Sequence, residues 1–79
     1  MSNESSLKFK FGRRLRSYRR LRDLTQDQFA EQIGCSTEYI SRIERGLVSP
    51  SFDLIEKMCF ALNIEPKALF DFNEGQLKE

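Results

Sequence analysis

Apolar positions recur at helical spacing along most of this 79-residue chain. Phe11, Leu15 and Tyr18 follow at intervals of four and three, one stripe of a helix, and predict a first helix over about 8–22. Gly12 falls inside that helix and weakens its start. Phe29, Ala30 and Ile33 predict a second helix over about 26–33. Thr25 suits its N-cap, and Gln28 three residues on completes a capping box. Asp27 in the first turn matches the positive end of the helix dipole. Gly34 stands where a left-handed residue ends a helix. A third helix opens on Ser36 as N-cap, carries Glu38 in its first turn, turns Ile40 and Ile43 inward and stops at Gly46. Ser49-Pro50-Ser51 reads as a loop, and Ser51 caps a fourth helix whose buried stripe is expected to be Leu54, Met58, Ala61 and Leu62. Pro66 suits the first position of a short fifth helix holding Ala68, Leu69 and Phe70. No run alternates as a strand around an Asn-Gly or Asp-Gly turn. The pattern predicts an all-α fold, compact and five-helical, forming one domain over 1–79 with flexible ends at 1–6 and 74–79.

Composition narrows the function classes. A hydrophobic fraction of 39% supports one core in a chain near the lower size limit for independent folding. No segment approaches the roughly 18 apolar residues of a membrane span. The polar stretch 1–6 lacks the apolar centre of a signal peptide, so no membrane association and a cytoplasmic location are expected. Cys35 and Cys59 form no CxxC pair and the chain has no histidine, so no metal site is expected. Both cysteines read as small thiols in a reducing compartment. Without histidine, a Gly-rich phosphate loop or a paired-carboxylate site, the chain is not expected to be an enzyme. No cofactor or small-molecule ligand is expected either.

The net charge of +1 hides a strong asymmetry. Residues 1–22 carry eight basic side chains against Glu4 alone, a net of +7. Residues 23–79 carry five basic against eleven acidic side chains, a net of −6. A basic stripe is the usual footprint of phosphate contact, but a solvated helix face reads the same way, and charge alone leaves both open.

The second and third helices, about 26–45, are joined only by residues around Gly34-Cys35-Ser36, the geometry of a helix-turn-helix. Gly34 supplies the positive φ of the tight turn, and Ala30 the small side chain a close crossing needs. The free backbone N–H groups at the start of the second helix, with Thr25 and Gln26 beside them, suit a phosphate oxygen. Arg45, at the end of the third helix, is placed to reach the backbone too.

The stretch LTQDQFAEQIGCSTEYISRIERGLVSPS resembles the lambda-repressor-like (xenobiotic-response-element) helix-turn-helix family. The matching positions are Thr25-Gln26, Ala30, Gly34, Ile40-Ser41, Ile43-Glu44, Gly46 and Pro50-Ser51, and the resemblance extends over about 15–70. It implies a five-helix DNA-binding domain with the third helix in the major groove of double-stranded DNA. That helix offers Ser36, Thr37, Glu38, Tyr39, Ser41 and Arg42. Arg42 suits guanine O6 and N7, Glu38 suits cytosine N4, and the Thr37 methyl suits a thymine methyl, although an acidic Glu38 is unfavourable near phosphates. The resemblance also implies an ion pair, Arg19 with Glu44, tying the first helix to the third. It implies a homodimer on a palindromic site. Leu69, Phe70 and Phe72 are expected to supply the interface, although they would equally serve to close the domain's own core.

In length the chain is similar to the controller proteins of restriction–modification systems, with phage-type repressors and antitoxins as neighbouring possibilities. A protein-interaction module that does not bind DNA is the rival of a different class. Salt-dependent DNA binding separates the two.

Overall fold

The computed structural model describes residues 6–73 as five helices: α1 (Leu7–Leu21), α2 (Gln26–Ile33), α3 (Thr37–Glu44), α4 (Phe52–Leu62) and α5 (Pro66–Leu69). No strand occurs among the described residues. The ends expected to be flexible lie outside the described residues except for Ser6. That residue is the N-cap of α1, its hydroxyl accepting from Phe9 N at 3.1 Å. The first helix therefore starts one residue earlier than its apolar stripe suggests.

Each long helix begins on a side-chain cap. Thr25 and Gln28 form the reciprocal capping box of α2, with 3.0 and 2.9 Å bonds. Ser36 and Ser51 accept from the backbone N–H of Tyr39 and Leu54. These bonds occupy donors that have no partner inside the helix. Gly34 adopts φ 77° between α2 and α3. Asn63, φ 57°, ends α4 in the same left-handed region, which asparagine tolerates better than most residues.

Phe11, Leu15, Phe29, Ala30, Ile33, Ile40, Ile43, Ile55, Met58, Cys59, Leu62 and Leu69 make one buried cluster. On α4 the buried stripe is Ile55, Met58, Cys59 and Leu62, while Leu54 and Ala61 are only half-buried. The stripe is rotated from the expected one because two sides of α4 are covered, one by α2 and one by α5.

Gly12 is buried where α1 meets the end of α3. A Cβ there would lie 2.3 Å from the Ile43 carbonyl oxygen and 2.7 Å from that of Glu44. The residue that weakens α1 as a helix former is thus the one that lets the two backbones touch.

Two arginines of α1, and Arg22 that caps its C-terminus, bond to groups elsewhere in the fold. Arg14 donates from Nε and Nη2 to the Ala68 carbonyl at 3.1 and 2.9 Å. Arg22 Nε donates to the Leu62 carbonyl at 2.7 Å, and Arg19 pairs with Glu44. The first two occupy carbonyls at the C-terminal ends of α5 and α4, where cations are favourable.

Candidate nucleic-acid interface

The site is assembled around α2 and α3, which pack together through Phe29, Ala30, Ile33, Ile40 and Ile43, all buried. With their apolar faces committed to the core, their remaining faces carry polar side chains. Thr25, Gln28, Ser36, Glu38, Arg42 and Arg45 are exposed, and Gln26, Thr37, Tyr39 and Ser41 are half-buried.

A buried carboxylate organises one end. Glu44 Oε2 lies 2.6 Å from Arg19 Nε, and Glu44 Oε1 accepts from Arg19 Nη2 at 3.1 Å. Arg19 Nη1 donates to the Leu24 carbonyl at 2.6 Å, fixing the linker between α1 and α2. Gln26 Nε2 donates to Glu44 Oε1 at 3.0 Å. Gln26, expected to meet a phosphate oxygen, is therefore anchored from beneath through one of its two amide hydrogens. Arg19 is 7% and Glu44 3% exposed, so the pair is held by bidentate geometry in a water-poor setting, where an unpaired charge would be costly.

On α3, the Thr37 hydroxyl donates to Asp27 across the turn from α2. Asp27, besides matching the helix dipole, thereby locks the entry of α3. No spacing in the sequence signals this contact, because it spans the turn. Glu38 and Arg42, one helical turn apart, form an ion pair of 3.0 Å between Oε2 and Nη2 with both side chains largely in solvent. The Arg45 Nε sits 3.4 Å from the Ser41 carbonyl, and Tyr39 packs partly against the core.

Leu69, Phe70 and Phe72 lie apart from this surface, on and after α5. Leu69 is 0% exposed, so it cannot serve as an interface residue as expected. The short α5 packs on both α1 and α4, and Leu69 closes the core between them. Phe70 is 40% exposed, with its ring 5.2 Å from that of Phe11 and 6.4 Å from that of Phe72. Beside it runs an apolar groove of about 200 Å³ lined by Leu7, Phe11, Pro50, Phe52, Ile55 and Phe70. Phe52, 84% exposed, and Leu7 complete this patch without any signal in the sequence pattern. They sit at helix starts, where exposed apolar residues carry no periodic signal.

Burial pushes the thiols of Cys35 and Cys59 above their ordinary value near 9.0, with Lys57 partly opposing the shift at Cys35. No group of three or more histidine, cysteine or acidic residues able to hold a metal occurs among the described residues. No helix among them is long and apolar enough to cross a membrane.

The arrangement matches known proteins closely. A family described as "Helix-turn-helix domain" matches residues 10–71. The chain is 36% identical over 69 residues to the control protein C.BamHI of Bacillus amyloliquefaciens, covering 86% of this chain and 85% of that one. It is 39% identical over 59 residues to the uncharacterized HTH-type transcriptional regulator YazB of Bacillus subtilis, covering 75% and 86% respectively. Among solved structures, the restriction–modification controller protein C.AhdI from Aeromonas hydrophila is similar with a TM-score of 0.77 and 40% identity, covering 80% of this chain and 96% of that one.

Proposed function

The chain belongs to the helix-turn-helix family of DNA-binding transcriptional regulators, and from that premise we propose that it is the controller protein of a restriction–modification system. The observation that carries this reading is the similarity to two controller proteins over nearly their whole lengths, 85% of one and 96% of the other. In this reading α3 enters the major groove of double-stranded DNA, and Thr37, Glu38 and Arg42 face the base edges with Ser36, Tyr39 and Ser41 around them. Thr25, Gln26 and Arg45 contact the phosphates and set the register. Gln26 suits that task because Glu44 anchors it at 3.0 Å, so little side-chain freedom is left to lose on binding. The protein acts as a homodimer through Phe70, Phe72 and the groove beside them. It binds a palindrome with half-sites about 34 Å apart, one turn of the duplex. The reading assigns no catalytic step and places the protein in the cytoplasm, where its operator is.

Selection of bound sequences from random duplex DNA at near-physiological salt tests it. A two-fold palindrome upstream of a methyltransferase or endonuclease gene is the expected result. Weak, salt-sensitive binding with no enriched sequence would overturn it. On the selected site Gln26→Ala is expected to weaken binding alike for all sequence variants, and a base-selective loss would remove Gln26 from the phosphate contacts.

A further inference from the structure

The proposed function sets Glu38 and Arg42 at the base edges but makes no use of the ion pair between them. An acidic side chain there is repelled by every phosphate it approaches. An exposed pair of this kind adds little to stability, so stability does not account for it. The two residues are one turn apart, in the order that favours an acid–base pair along a helix, with 3.0 Å between Oε2 and Nη2. Thr37, next to Glu38, is itself tied to Asp27, so the start of α3 that carries Glu38 is held in place.

We infer that Glu38 positions Arg42 and that the two read the operator as one unit, a guanine together with a cytosine amino group adjoining it in the major groove. This rests on the reading that α3 enters that groove. The donor and acceptor count allows it. A guanidinium has five N–H donors and a carboxylate about four acceptor sites, so the single bond between them leaves both able to meet bases. Arg42 donates to guanine O6 and N7 while Glu38 accepts from cytosine N4. Held by Glu38, Arg42 enters the groove with part of its rotamer freedom already removed.

The same carboxylate excludes other sequences. Opposite guanine or thymine it meets acceptors and the thymine methyl but no donor, and a desolvated charge without a donor is costly. Glu38 is therefore a residue that confers specificity by penalising wrong sites as well as by favouring the right one.

The test compares wild type with Glu38→Gln, Arg42→Ala and the double variant by selection from random duplexes. Affinities are then measured on the selected site and on a random duplex. All four proteins should fold alike, since both side chains are mostly solvated; circular dichroism melts check this. Glu38→Gln is expected to bind random duplex several-fold more tightly and to lose preference at the cytosine and also at the guanine read by Arg42. Its ratio of specific to random affinity should fall by roughly 5- to 150-fold, the range of one base-reading contact. In the double variant, preference at the guanine should be no weaker than in Arg42→Ala alone. Unchanged guanine preference in Glu38→Gln, or losses at the guanine that simply add, would overturn the coupling while leaving sequence-specific binding intact. If wild type enriches no sequence, the reading of α3 fails and this inference with it.

Discussion

Replacing Gly12 by alanine pits helix propensity against packing, and the structure says which wins. In a helix interior alanine is favoured over glycine by about 1 kcal/mol, so the sequence taken alone predicts a more stable protein. The new Cβ, however, would lie 2.3 Å from the Ile43 carbonyl oxygen and 2.7 Å from the Glu44 carbonyl oxygen. Carbon–oxygen contacts settle at about 3.3 Å or beyond, so α1 and α3 must part by about 1 Å. Both obstacles are backbone atoms, and no side-chain rotation relieves them. Overpacking of this kind costs about 1–3 kcal/mol. Parting the helices also stretches the 2.6 Å contact from Arg19 to Glu44 and loosens Ile43, which is 0% exposed. We expect a net loss of about 1–2 kcal/mol, which for a chain of this size lowers Tm by about 5–15 °C. Thermal and urea unfolding followed by far-UV circular dichroism measure it. Gly34→Ala is the comparison. Its Cβ meets nothing within 4 Å, so that variant suffers only the strain of φ 77° and leaves the helix spacing unchanged. A Gly12→Ala protein that melts at or above the wild-type temperature would refute the argument that this crossing is sterically limited.

Glu44→Ala leaves Arg19 as a buried, unpaired cation and deprives Gln26 of its acceptor, and is expected to cost about 3–5 kcal/mol in urea unfolding. A loss under 1 kcal/mol would mean that solvent reaches the pair. If the protein dimerises as proposed, Phe70→Asp is expected to give a folded monomer by light scattering, whereas Leu69→Ala should leave the oligomeric state unchanged but lose about 2–5 kcal/mol of stability. The reverse pattern would place Leu69, not Phe70, in the interface. Because burial raises the pKa of both thiols, Cys35 and Cys59 should react slowly with a thiol reagent at neutral pH in the native protein and quickly in urea. The folded-state pKa lies above the unfolded one, so the thiols' contribution to stability is fully present below pH 9.0 and declines as pH rises past it. Rising stability through that range would contradict the assignment.

The positions of the helices were legible in the sequence because their signals are local. Thr25 with Gln28, Ser36 and Ser51 satisfy helix starts through side chains three residues away, and Gly34 ends α2 through its own backbone freedom. The helix-turn-helix was legible for the same reason, since its turn and its two apolar faces lie within twenty or so residues. What the sequence did not determine depends on residues far apart in the chain. Arg14, Arg19 and Arg22 look like one basic stripe, but the tertiary structure ties them to Ala68, Glu44 and Leu62, and the buried pair with Glu44 takes the charge of Arg19 out of what a phosphate backbone would meet. Leu69 and Phe70 are adjacent and similarly apolar. Only the packing of α5 on both α1 and α4 makes one a core residue and leaves the other at the surface. Periodicity sets which residues share a face, but it does not set what that face meets. Which neighbour covers each face is decided by the assembled core.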